Sequence, residues 1–179
     1  MQKACHLYLL PIGGTATAAL AGLLHEAGER VSGVDTALYP PTSELLADLG
    51  IPVRIGFDPA RIPDDLDQVI IGNALPRSNV EVQAVLQRGL PYTSQAEALG
   101  ERFCSQGRAV VIAGTHGKTT ASALVAHILT AGGLDPTALI GGVPRGGRPW
   151  RLGDGSWTVV EGDEYNTAFF DRGPKFLHY

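Results

Sequence analysis

Short apolar runs recur along this chain, each closed by a glycine or proline turn and followed by a stretch of helical period. "LYLL" passes through "PIGG" into "ATAALAGLLHEAG", and "AVVIAG" passes through "THG" into "KTTASALVAHILTAGG". An apolar run that short is a strand covered on both faces, and a helix between two such strands lets them pair in parallel. The alternation restricts the fold to α/β: a Rossmann-like parallel sheet clothed in helices.

Leu20, Leu23, Leu24 and Ala27 fall on one face of the first helix. "RVSGVD", "VRIGF" and "QVIIGN" read as further strands, and "TSELLADLG" as a helix stopped at Gly50. Ser78 with Glu81, and Ser94 with Glu97, have capping-box spacing at the starts of two more helices. Around "CSQGR" the pattern restarts. This predicts one domain over residues 1–106 and the opening of a second, P-loop-type α/β domain over 107–179. In that second part "TALIGG", "WTVVEGDE" and "KFLHY" are strand candidates, and "GGVPRGGRP" is a loop. Its helix carries Ala121, Leu124, Val125, Ile128 and Leu129 along one side. The chain stops at Tyr179 inside an expected strand, an odd place for a domain to finish.

Hydrophobic residues at 44% and charged ones at 18% suit a soluble globular protein. A net charge of -4 gives no reason to expect nucleic acid or an anionic membrane as partner. Cys5 and Cys104 match neither a zinc pattern nor a disulfide framework and are expected as buried, reduced thiols. The N-terminus lacks the apolar core of a signal peptide, and no segment approaches the ~18 apolar residues of a membrane helix. The expectation is a cytosolic protein.

"AGTHGKTT", residues 113–120, follows a buried strand and opens a helix. Such a turn directs backbone N–H groups and the positive end of the helix at an anion. Gly114 and Gly117 permit close approach, Lys118 reaches β- and γ-phosphates, and the Thr119 hydroxyl can bind Mg²⁺. The full Walker spacing would place glycine at Ile112, so this is a shorter relative of that loop. His116 within it could touch phosphate or the transferred group, or bond to backbone. His127, on the helix, is expected to be structural.

Further on, "TVVEGDEYNTAFFD" begins as a buried strand and ends in carboxylates, at the strand end where α/β ligands collect. Magnesium prefers hard oxygen ligands, so Glu161 is the expected metal ligand. Strand alternation puts Asp163 on the same face and Glu164 on the other or in the loop. Near the N-terminus, Gly13, Gly14 and Thr15 open a helix, and Asp35 closes the second strand about twenty residues later. That layout is of dinucleotide type but weak, because Pro11 stands where a first glycine belongs.

Two phosphate-type turns, the G-T-H-G-K-T-T loop and the E-x-D-E segment together resemble the Mur ligases, over essentially the whole chain. Within that family, "DTALYPPTSELL", "VIIGNALPRSN", "IGGVP" and "EGDEYNTAFFDRGPKFLHY" are most similar to the branch that recycles a murein peptide. The resemblance implies an ATP- and Mg²⁺-dependent ligase. ATP would phosphorylate the lactyl carboxylate of UDP-N-acetylmuramate, and the tripeptide L-Ala-γ-D-Glu-meso-diaminopimelate would attack the acyl phosphate. It further implies that Gly114, Thr115, His116, Gly117, Lys118, Thr119 and Thr120 form the ATP loop. Thr119, Glu161 and Asp163 would serve the metal, with Glu164 orienting it or the substrate. Gly13, Gly14 and Thr15 would face the UDP pyrophosphate, with Asp35, Asn73 and Asn79 lining the UDP-sugar site. Gly162 and Asn166 depart from the usual alanine and aspartate. Members of the family continue into a metal-binding histidine, a carbamylated lysine and a closing domain, so these 179 residues alone are not expected to turn over. The alternatives are the L-alanine-adding branch, a non-catalytic UDP-sugar-binding module, and an unrelated P-loop kinase or ATPase.

Overall fold

The computed structural model describes residues 4–105, 107–142 and 147–179. The expected motif "IGGVP" therefore lies partly outside the described residues, as does the middle of the loop "GGVPRGGRP". The first sheet comprises β1 (His6–Leu10), β2 (Arg30–Asp35), β3 (Val53–Ile55), β4 (Gln68–Ile71) and β5 (Tyr92–Ser94), all parallel, in the order β3-β2-β1-β4-β5. Helices α1 (Thr15–Glu26), α2 (Thr42–Asp48), α3 (Val80–Gln87) and α4 (Gln95–Leu99) connect or follow these strands. The second sheet has the order β6-β9-β7-β8, from β6 (Arg108–Ala113), β7 (Thr137–Leu139), β8 (Trp150–Arg151) and β9 (Trp157–Gly162). The β6–β9 and β7–β9 pairs are parallel and the β7–β8 pair is antiparallel. Between β6 and β7 runs the longest helix, α5 (Lys118–Ala131). No helix among the described residues is long and apolar enough to cross a membrane.

Alternation along β1 sends Leu7 and Leu9 to one face, and Tyr8 and Leu10 to the other. The first pair joins a core that reaches through Leu20 and Leu24 of α1 to Leu139, Trp150 and Val160 of the second sheet. Helix α1 is thus buried continuously from Thr17 to Leu24, not along one stripe, and Ala27 is exposed at its end. The cause is contact on two sides: sheet one below and Trp150 above, with a Cβ on Gly22 falling 2.3 Å from the Trp150 ring. Only a residue without a side chain lets the indole lie on the helix backbone.

Five further expectations need correction. The run "AVVIA" is not covered on both faces: β6 is the edge strand of its sheet, and none of its residues is fully buried. Asn79, not Ser78, caps α3, its Oδ1 accepting from the backbone N–H groups of Glu81 and Val82. Glu81 cannot turn back to complete a box, because its buried carboxylate accepts from Tyr8 Oη at 2.9 Å and the Asp58 N–H at 2.7 Å and pairs with Arg54. The Ser94–Glu97 box does form. On α5, Leu124 and Ile128 are each 57% exposed. The helix meets its sheet through Ala126, Val125 and Leu129, one step round from the expected stripe. "KFLHY" is a 3₁₀ turn over Lys175–His178, not a strand. It lies across the end of α4, where a Cβ on the residue just after it, Gly100, would sit 1.8 Å from the His178 carbonyl oxygen, and Leu177 stays exposed. β5 and β8, of three and two residues, are too short to show a period and were not foreseen.

Candidate functional site

In the first sheet the connections reverse direction between β1 and β4, which opens a crevice at the carboxyl ends of those strands. The turn Gly13–Thr15 leaves β1 there, and Asn73 leaves β4. Asp35, at the end of β2, accepts from the Gly13 N–H at 2.7 Å and the Thr36 N–H at 2.7 Å. That carboxylate therefore fastens the glycine turn, and a Cβ on Gly13 would meet its Oδ2 at 2.7 Å. Asn73 and the Gly14–Thr15 pair are exposed at the crevice, whereas the Asn79 carbonyl is committed to its helix cap.

The second sheet places its two chemistry-bearing segments side by side. β6 and β9 are neighbours in register Ile112↔Glu161 and Ala113↔Gly162, so the loop 114–117 and the acidic segment leave the same sheet edge together. Gly117 caps α5 at φ +77°, in the left-handed region where L side chains are disfavoured. The free N–H groups of the first helical turn thus face the loop, which is the arrangement that attracts an anion. Lys118 folds back on the loop, its Nζ donating to the Gly114 carbonyl at 2.7 Å and lying 3.6 Å from Glu164. The backbone N–H of Glu164 itself, then the Lys118 ammonium, hold the Glu164 carboxyl below its usual range.

Thr119 Oγ1 donates to Glu161 Oε2 at 3.3 Å, across 42 residues of sequence. The other oxygen, Oε1, accepts from the Gly141 N–H at 2.8 Å. A hydroxyl and a carboxylate placed this way are two hard oxygens of the kind magnesium selects. The space around them is kept by glycine: a Cβ on Gly141 would stand 2.9 Å from Glu161 Oε2, and one on Gly142 3.0 Å from Thr119 Cγ2. Sequence reasoning missed Gly141; the Gly-Gly pair after β7 was the available signal.

The other expected site residues are distributed around this pair. Asp163 shares a cavity of about 30 Å³ with Glu161, Lys175 and Tyr179. Burial pushes the Lys175 ammonium below its ordinary range, with Asp163 pulling it back, and burial raises the Tyr179 phenol. Neither residue was foreseen, since nothing in "KFLHY" marks an inward lysine. Thr115, His116 and Thr120 are exposed, and His116 makes no side-chain hydrogen bond among the described residues. His127 is exposed on α5. Among the described residues, the one group of three clustered metal-type ligands is Glu97, Asp171 and His178, none of which was expected to bind the metal.

Fold and site define a mostly parallel α/β protein of two sheets, the second carrying a lysine-bearing strand–loop–helix turn against a glutamate. A profile described as "Mur ligase family, catalytic domain" matches residues 6–106. The chain belongs to the Mur ligase family. It is 39% identical over 175 residues to a UDP-N-acetylmuramate–L-alanyl-γ-D-glutamyl-meso-2,6-diaminoheptandioate ligase of Haemophilus influenzae, covering 97% of this chain and 39% of that protein. It is 41% identical over 164 residues to a UDP-N-acetylmuramate–L-alanine ligase of Xanthobacter autotrophicus, covering 91% of this chain and 34% of the relative. Among solved structures, the UDP-N-acetylmuramate:L-alanyl-γ-D-glutamyl-meso-diaminopimelate ligase from Neisseria meningitides superposes with a TM-score of 0.93 at 41% identity, over 99% of this chain and 58% of that one. The chain spans about two-fifths of the length of the curated relatives it matches.

Proposed function

We propose that this chain carries the UDP-sugar site and part of the ATP site of a ligase that joins a murein tripeptide to UDP-N-acetylmuramate. Residues 1–106 hold the UDP-sugar at the β1/β4 crevice, through Gly13, Gly14, Thr15, Asp35 and Asn73. Residues 107–179 contribute the opening of the ATP-binding domain, and turnover belongs to the longer enzyme. The reading rests above all on the Thr119–Glu161 contact, which brings two hard-oxygen ligands from distant segments to the mouth of the phosphate turn.

A carboxylate and an amine condense only after the carboxylate oxygen becomes a leaving group. ATP supplies this by phosphorylating the lactyl carboxylate; the amine then adds to the acyl phosphate, forming the C–N bond and expelling phosphate. Little of that is covalent work for the protein, and most is placement and neutralisation of charge. The Gly114–Thr120 backbone cradles the phosphates. Lys118 exchanges its present partners, the Gly114 carbonyl and Glu164, for phosphate oxygens. Thr119 and Glu161 would hold Mg²⁺, whose chemistry when bound is to neutralise charge on the transferred phosphoryl group. Glu161 is aimed at that position by the Gly141 N–H, and Asp163 and Glu164 flank it.

The test is titration of ATP with and without Mg²⁺ against this chain and its Glu161→Gln and Lys118→Ala variants. Glu161→Gln is expected to remove most of the magnesium dependence, a loss of at least about tenfold. Magnesium-dependent ATP binding unchanged in Glu161→Gln would refute the assignment. Tripeptide-dependent phosphate release by these residues alone would contradict the division of labour.

A further inference from the structure

Three side chains that neither proposed substrate site uses converge where the segment after β9 crosses the end of α4. Glu97 comes from α4, Asp171 from the loop, and His178 from the 3₁₀ turn that follows it. Each offers one metal-type ligand atom, and these atoms all lie within 4.8 Å of one another. All three residues are half-buried. Among the described residues, no lysine or arginine pairs with either carboxylate. With a neutral imidazole, the cluster therefore carries two negative charges that no such side chain answers.

Both carboxylates are held by groups outside the cluster. Glu97 Oε2 accepts from the Ser94 N–H at 2.8 Å and the Thr93 hydroxyl at 3.1 Å, which leaves Oε1 for another partner. Asp171 Oδ1 accepts from the Gly173 N–H at 2.7 Å, and its Oδ2 meets His178 Nε2 at 2.7 Å. The two segments are also pinned beside the cluster. Phe170 stands edge-on to Tyr92 at 5.1 Å, and the His178 carbonyl rests against Gly100. Outer partners of this kind orient metal ligands and fix their rotamers.

From this we infer that Glu97, Asp171 and His178 form a site for a first-row divalent cation such as zinc, which would clip the segment after β9 to α4. Imidazole with carboxylates suits zinc, whereas magnesium prefers an octahedron of hard oxygens, so this site differs in kind from the one proposed at Thr119 and Glu161. Three protein ligands leave a fourth position to water. Ligands about 2.0–2.1 Å from a tetrahedral ion stand about 3.3 Å apart. The His178–Asp171 pair must then open by about 0.6 Å, and no pair has to close by more than about 1.5 Å, which a glutamate rotamer can supply. A clip here joins residues far apart in the chain, where it removes most chain freedom.

The test is calorimetric titration of the chelator-stripped chain with zinc chloride, with Glu97→Gln, Asp171→Asn and His178→Gln alongside. Glutamine at 97 keeps the capping box, and asparagine at 171 keeps an acceptor for the Gly173 N–H. The unmutated chain should bind one zinc ion at this site and melt higher with it; each substitution should weaken that binding at least about tenfold. Glu161→Gln should leave it within about twofold, and excess magnesium should not displace it. Cobalt in place of zinc should give the visible absorption of a four-coordinate site, lost in His178→Gln. Failure of the unmutated chain to bind zinc would overturn the inference, as would zinc affinity indifferent to all three substitutions. Zinc binding lost only in Glu161→Gln would move the ion to the phosphate loop and overturn it too. If His178→Gln lowers the melting temperature in chelator while zinc leaves that of the unmutated chain unchanged, the cluster is a hydrogen-bonded clasp without a metal, and the inference falls.

Discussion

Removing the carboxylate at Glu81 is expected to be among the most damaging single changes in the first sheet. Glu81 is fully buried, and it accepts from Tyr8 Oη, the Asp58 N–H and the Arg54 guanidinium, whose side chain is itself only 12% exposed. Glu81→Ala leaves a buried cation without its anion and two donors short of an acceptor, a cost of about 3–5 kcal/mol. Glu81→Gln keeps one acceptor of the same shape, so its cost should be nearer about 1–3 kcal/mol. For an m-value of roughly 2 kcal/mol/M in urea, the larger loss lowers the midpoint by about 1.5–2.5 M. Both tryptophans, Trp150 and Trp157, belong to the second sheet, and Trp150 also lies against Gly22 of α1, so tryptophan fluorescence reports on that sheet and its contact with the first, while far-UV circular dichroism reports on the whole chain. Replacing Arg54 and Glu81 together by methionine should cost less than the two single changes summed. A Glu81→Ala midpoint within about 0.5 M of the unmutated chain, at unchanged m, would show that the buried pair is not what holds β3 and α3 together.

Cys104 is buried, and desolvation pushes its thiol up to about 11. It should resist iodoacetamide at pH 8 in the folded chain while the partly exposed Cys5 reacts, and mass spectrometry should show both alkylated in urea. Lys175 is 7% exposed and its ammonium is held below the ordinary lysine range by burial. A base with a depressed folded pKa binds its proton less well folded than unfolded. Its burden is therefore full below the folded value and fades as pH rises toward the ordinary value of about 10.4. Lys175→Met should raise the melting temperature at pH 7, with the gain shrinking as pH rises through that window; a gain independent of pH would refute the cause. Ser94→Ala removes the hydroxyl that caps the Glu97 N–H at 3.1 Å and should cost about 1 kcal/mol in denaturant midpoint analysis.

What the sequence by itself determined is the local alphabet of this protein. Apolar runs such as "LYLL" and "VVIA" form strands whether central or, as β6 does, at a sheet edge, so their strand character and the α/β class follow from composition and length. Gly117, Lys118 and Thr119 were legible for the same reason: a turn's chemistry is set by residues adjacent in the chain. Tertiary structure alone decided which distant groups meet. Glu81 has capping-box spacing, yet burial beside Tyr8 and Arg54 takes its carboxylate elsewhere. Leu124 and Ile128 have core spacing on their helix, yet the sheet contacts the neighbouring stripe. The Thr119–Glu161 contact, the inward Lys175 and the meeting of Glu97 with Asp171 and His178 depend on which strands lie side by side and where loops return. Local periodicity carries no information about strand order, and strand order is what places these groups.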